Sequence, residues 1–115
     1  MKNDTATTVM AIYRVQSAKM AAFMELLKTH HPVLHELGLV TDEAPIVYSG
    51  HEKEGGPIVF EIFSWKSPDA SDSAHQMPEV ARVWEAMGTM TEDRNGRPQF
   101  EFPHVERVDL GQLTT

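Results

Sequence analysis

The chain has 115 residues, is 41% hydrophobic, and sets ten Lys and Arg against seventeen Asp and Glu, a formal charge of −7. That length is about one domain, with a modest core that pairing would help to stabilise, and the acidic balance argues against nucleic acid or an anionic membrane as partner. The absence of cysteine excludes disulfides, thiolate metal sites, iron–sulfur clusters and cysteine nucleophiles.

The opening MKNDTATTV has no apolar signal core, and no apolar run approaches the roughly 18 residues of a membrane span. The expectation is a cytoplasmic protein with a disordered N-terminal tail over residues 1–6 and a single domain over 7–115. Val9, Ala11, Tyr13 and Val15 alternate with Met10, Ile12 and Arg14, which predicts a strand with two largely apolar faces. Ser17 can cap a helix carrying Met20, Phe23, Met24 and Leu27 at helical spacing. At His30–His31, Pro32 predicts a kink, or a break followed by a short second piece. Leu34 and Leu37 continue the stripe, and Gly38 is a suitable terminator.

Strand signals return from Pro45 to Glu52, and Gly55-Gly56 marks a tight hairpin into a strand over Ile58 to Trp65. SPDASDS reads as a polar turn, followed by a helix with Val80, Val83, Trp84, Met87 and Met90 on one stripe. Asn95-Gly96 supplies the next turn, and a last strand spans about Gln99 to Leu110. The order β-α-β-β-α-β defines a ferredoxin-like α+β fold, a four-stranded antiparallel sheet with its helices on one face. Pro103 suits the last strand as an edge.

The face without helices is not polar. Ile58, Phe60 and Ile62 point one way along their strand, while Val59, Glu61, Phe63 and Trp65 point the other. Two such sheets packed face to face would hide the surplus, which predicts a homodimer through the sheet face.

The β-α-β-β-α-β order, the strand FEIFSWK, and Ala74-His75, Pro78 and Val80 within AHQMPEV resemble the dimeric α+β barrel superfamily, in particular the antibiotic-biosynthesis-monooxygenase-like domains. The resemblance implies a dimeric barrel with a pocket between sheet and helices in each subunit. It also implies a choice among several activities, including oxidation of electron-rich aromatic polyketides without metal or flavin. The haem-degrading branch uses an asparagine on the first strand, a tryptophan near the position of His75 and a histidine further along that helix. Here those regions carry Met10 or Ile12, His75 itself, and Ala86 or Met87, so haem degradation is not expected.

His75 is the leading candidate for a base, since an imidazole with an unperturbed pKa near 6.5 can accept a proton from a phenol or enol at neutral pH. Its alternative is a histidine bonding backbone groups at a helix entrance. Glu61, the only ionisable residue in Val59–Trp65, could hold His75 in one tautomer or act as acid or base; alternatively it pairs with Arg14 on the neighbouring strand. Trp65, Phe63 and Tyr13 would form apolar walls, with Tyr48 and Trp84 as further substrate contacts, although both tryptophans also suit a core or dimer interface. His31 and His35 are four apart, as two metal ligands on one helical face would be, but Pro32 interrupts that face and no His-Glu-x-x-His pattern is present. A kinked solvent-side segment is the plainer reading, and no metal is assigned.

No phosphate-binding glycine loop, nucleophile elbow or basic patch interleaved with aromatics is present. Two readings remain. One is a cofactor-independent monooxygenase-like enzyme for an aromatic or polyketide-like small molecule, in which deprotonation makes an anion that reacts with oxygen directly. The other is a non-catalytic dimeric domain whose cavity holds an apolar ligand or is a packed core.

Overall fold

Alternating burial along Thr7–Arg14 turns Val9, Ala11 and Tyr13 into the core and leaves Met10 and Ile12 half-buried on the other face. This is β1 of a computed structural model that describes residues 6–112; the tail expected over residues 1–6 lies, apart from Ala6, outside the described residues. A short turn at Ser17–Lys19 leads into α1 (Met20–Glu36). Then follow β2 (Ile46–His51), β3 (Pro57–Trp65), α2 (Pro68–Ala74), α3 (Pro78–Gly88), β4 (Phe100–Glu101) and β5 (His104–Val105). The strands form one antiparallel sheet in the order β2-β3-β1-β4, with β5 also on β1. That is the ferredoxin-like α+β arrangement.

Register fixes which residues share a face. Val9 pairs with Phe63, Ala11 with Glu61 and Tyr13 with Val59 beneath the helices, while Met10 pairs with Ile62 and Ile12 with Phe60 on the opposite side. Ile46 and Tyr48 extend this outer face from β2.

Three local expectations are corrected. Pro32 neither breaks nor ends α1, which runs through it. The bond it forfeits is to the Lys28 carbonyl four residues back, and both residues lie on the exposed side, where water can serve that oxygen. The helix ends four residues later, at Glu36, and Gly38 just beyond it adopts φ 74°. There the Gly38 N–H donates to the His35 carbonyl at 3.0 Å and the Leu39 N–H to the Leu34 carbonyl at 3.0 Å, the two bonds of a Schellman cap.

SPDASDS is not a plain turn. Pro68 starts α2 at the position where its missing N–H costs nothing, and the helix buries Ala70 and Ala74 four residues apart. Two alanines are too faint a stripe to stand out in a polar run. The last strand is also two fragments. Pro103, between β4 and β5, donates no bond, but its carbonyl accepts the Met10 N–H at 3.0 Å and keeps β1 satisfied across the gap.

One end of the sheet is closed by an ionic cluster around Glu52. Arg94 donates to Glu52 at 2.9 Å, to Glu92 at 2.8 Å and to the Val15 carbonyl at 2.8 Å. Buried Arg14 reaches Glu101 at 2.6 Å and Glu52 at 3.3 Å. Asn95 and Gly96, at φ 53° and 79°, make the two-residue turn that aims Arg94. A Cβ on Gly55 would fall 2.5 Å from the Arg94 Cδ, so Gly55 is required for the approach of Arg94. Desolvation pushes the Glu52 carboxyl up, but hydrogen bonds from Arg94 and Arg14 and their charges outweigh it and hold the group below its ordinary 4.5. A carboxyl depressed in the folded state contributes stability above its unfolded pKa, and that contribution is lost as pH falls through the folded value. Glu52→Gln should therefore lower the melting temperature at neutral pH, and the gap to the native chain should close below about pH 4. A gap independent of pH would refute the ionic account.

Candidate active-site cavity

The alternation of β3 obliges Glu61 to face the helices between Val59 and Phe63, where it is 1% exposed. Its neighbour across the strand pair is Ala11, whose small side chain leaves space for a carboxylate. The Tyr13 hydroxyl donates to Glu61 Oε1 at 2.7 Å. His30 Nδ1 lies 2.9 Å from Oε1 and 3.1 Å from Oε2. The far ring nitrogen of His30, Nε2, accepts the indole N–H of Trp84 at 3.0 Å.

Donor chemistry fixes the proton positions in this chain of bonds. Indole N–H can only donate, so His30 Nε2 carries a lone pair and the ring proton sits on Nδ1, donated to Glu61. Burial first, then the charge and hydrogen bond of Glu61, raise the Tyr13 pKa well above 10. Its hydroxyl therefore stays a donor.

On one side of this chain lies a cavity of about 320 Å³, lined by His30, Phe63, Trp65, His75, Trp84 and residues of β4 and β5. Phe63 and Trp65 meet edge-on at 5.2 Å, and Phe63 stands at 88° to His30. On the other side a more open cavity of about 560 Å³ between α1 and the start of β2 is lined by Glu61, Lys28, His31, His35 and Asp42 among apolar residues. His30 thus faces one cavity and Glu61 the other.

The residues singled out from sequence fall into three places. Phe63, Trp65, Trp84 and His75 line the smaller cavity. Tyr13 and Glu61 are buried and do not line that cavity, Glu61 bordering the larger one. Tyr48 is 62% exposed on the outer face of the sheet, away from both cavities.

The pairings differ from those anticipated. Glu61 holds His30 rather than His75. It does not pair with Arg14, because register puts Arg14 opposite Ile58 on the outer face. His75 lies three residues before α3 begins at Pro78, as expected, and is also the C-terminal cap of α2; it is exposed, with its ring edge-on to Trp84 at 4.9 Å. His30 and His31 are not solvent-side: they are 2% and 8% exposed. The continuous helix carries His30 in phase with Phe23, Leu27 and Leu34, and that phasing was the signal available in the sequence. His31 and His35 do share a face, with rings stacked at 6.1 Å, and His35 bonds Asp42 at 2.8 Å. Among the described residues no group of three or more potential ligands is placed to hold a metal ion, and no helix is long and apolar enough to cross a membrane.

No protein-family model matches the sequence, and no curated protein matches it. The fold does have solved counterparts. The chain is similar to an antibiotic biosynthesis monooxygenase at 14% identity and TM-score 0.64, over 90% of this chain and 99% of that one. It is similar to SnoaB, a cofactor-independent oxygenase from Streptomyces nogalater, at 14% identity and TM-score 0.60, over 91% and 95%. A dimeric ferredoxin-like protein of unknown function from Jannaschia sp. CCS1 matches at 16% identity and TM-score 0.61, over 89% and 99%. The chain therefore shares the ferredoxin-like α+β fold of these proteins, the fold that the resemblance in sequence implied.

His31 Nε2 is buried with no hydrogen-bond partner. Burial lowers the His31 pKa below 6.5, the charge of Glu61 opposes the shift, and His35 and His30 add to it. An imidazole that resists protonation only when folded gives stability that is complete above about pH 6.5 and falls as the pH drops through the folded value. His31→Leu should raise the urea midpoint and flatten its decline between about pH 7 and pH 5. An unaltered slope would contradict the assignment.

Proposed function

We propose that the protein is a homodimeric, cofactor-independent oxygenase-like enzyme acting on a hydroxylated aromatic or polyketide-like small molecule. The observation that carries this reading is an aromatic-walled cavity with an imidazole at its base and another at its mouth, His30 and His75. Apolar walls with a few convergent polar groups are the usual form of a small-molecule site. The shared fold with proteins described as an antibiotic biosynthesis monooxygenase and a cofactor-independent oxygenase supports the class.

The chemistry asks little of the protein. An imidazole takes the hydroxyl proton, and the electron-rich ring carbon of the anion bonds to dioxygen. The hydroperoxide so formed loses water, leaving a quinone: one hydroxyarene and one O₂ give one quinone and one H₂O. Phe63 and Trp65 would exclude water while the anion exists. Oxygen-electrode measurements on a panel of naphthols and hydroxyanthracenes should show uptake equal to quinone formed. Saturable binding of those compounds without oxygen uptake would favour a non-catalytic binding domain instead.

The homodimer rests on the outer sheet face, where Met10, Ile12, Phe60 and Ile62 of the central strands meet Ile46 and Tyr48 of β2, the last two more than half exposed. A contiguous apolar patch of this kind is uncommon on monomers, and the Jannaschia counterpart is described as dimeric. Light scattering should give twice the chain mass, and Phe60→Glu should give a folded monomer. A native chain that is monomeric at micromolar concentration would overturn the pairing.

A further inference from the structure

We infer that the proton acceptor of the cavity is His30, backed by Glu61, and that the indole of Trp84 occupies the place of the substrate's hydroxylated ring. The inference rests on the proposed oxygenase reading and makes it specific in two respects: which imidazole acts, and what shape of ligand it meets.

The two cavity histidines are not equivalent. His75 is exposed and packs edge-on against Trp84; among the described residues its ring has no hydrogen-bonding side chain to set its tautomer. His30 has one. Glu61 accepts the Nδ1 proton at 2.9 Å, and the Tyr13 hydroxyl donates to the same carboxylate oxygen at 2.7 Å. A carboxylate on one ring nitrogen and a lone pair on the other is the arrangement that activates an imidazole as a general base. The lone pair is on Nε2, on the nitrogen that meets Trp84 within the cavity wall.

At present that lone pair accepts the Trp84 N–H at 3.0 Å. The bond consists of a flat fused ring system directing one polar hydrogen at His30 from within an aromatic cavity. A hydroxylated fused arene has the same outline and a more acidic hydrogen. Entry of such a ligand exchanges an N–H···N bond for an O–H···N bond, so no buried acceptor is left unpaired. Trp84 is half-buried on α3, with His30 on one side and His75 on the other, so the indole separates the base from the mouth. A volume of about 320 Å³ before the indole moves suits a small fused ring system.

The transfer balances. The arene O–H bond breaks, the His30 Nε2–H bond forms, and the electron pair stays on oxygen. An aryloxide then faces an imidazolium whose other N–H already binds Glu61. The net charge of the buried group is the same before and after, and the new positive charge appears beside a carboxylate rather than alone.

The test uses 4-nitrophenol, whose anion absorbs in the visible and which resists oxidation, so the readout does not depend on turnover. At a pH below the phenol's own pKa, the full-length protein should bind it with the spectrum of the phenolate. His30→Gln and Glu61→Gln should bind it as the neutral phenol. His75→Ala should weaken binding without removing the phenolate band. Trp84→Phe, which keeps a ring and deletes the N–H, should tighten binding by about tenfold, since one hydrogen bond no longer has to break. A phenolate band that survives His30→Gln, or that His75→Ala abolishes, would overturn the assignment. Should His30→Gln fail to fold, Trp84→Phe decides, because unchanged affinity there overturns the displacement. If the folded native protein binds no nitrophenol, the cavity reading beneath this one fails, an outcome distinct from binding without ionisation.

Discussion

A carboxylate at the centre of a small domain has to be answered by donors, and Glu61 constrains the fold for that reason. Removing a carboxylate from water costs several kcal/mol unless hydrogen bonds replace its hydration. Here the replacements come from β1 through Tyr13 and from α1 through His30, and Trp84 extends the chain to α3. Four elements are thereby fixed relative to one another by bonds with narrow geometric tolerance. Apolar packing alone would permit α1 to rotate by part of a turn about Phe23, Leu27 and Leu34. The His30–Glu61 bond does not.

The same strand that carries Glu61 inward carries Phe60 and Ile62 outward. With a period of two, a strand that satisfies a buried site on one face has no freedom left to choose polarity on the other except residue by residue. In β3 the outward residues are apolar, and they align with Met10 and Ile12. The cavity and the exposed sheet face are therefore two consequences of one strand, held in one register. The cluster of Arg14, Glu52 and Arg94 pins that register at the end of the sheet, because Arg14 must stand opposite Ile58 to reach both Glu52 and Glu101.

Most of the architecture was legible in the sequence because periodicity reports burial directly. β1 and β3 bury the residues their spacing marks, and the α3 stripe buries Val80, Val83 and Met87 while Trp84 and Met90 stay partly buried. What escaped did so for physical reasons. α2 hides only two alanines, so its amphipathic signal is nearly nil. Pro32 reads as a breaker, yet on an exposed face it removes one hydrogen bond that water replaces. That second misreading had the larger consequence, since a broken helix sends His30 and His31 to solvent, and a continuous one places His30 beside Glu61. The types of residue at the cavity were readable from the Ile58–Trp84 stretch; the partner of the acid was not, because it comes from a helix 31 positions away along the chain.

Buried polar chains of this kind are seldom the most stable filling of a core, since apolar residues of equal volume are often as good or better. Their retention is easier to understand where one member has a further use. In this protein the chain does not close on itself within the core. It ends at an indole in the wall of one cavity, and its carboxylate borders another. A purely structural network would gain nothing from either opening, and would be better sealed by an apolar residue in place of His30. A network that must take up a proton from a bound molecule needs an accessible lone pair at one end and a fixed negative charge behind it. In the Trp84–His30–Glu61–Tyr13 chain Glu61 supplies that charge, and the His30 lone pair is covered by the Trp84 indole, whose displacement would expose it.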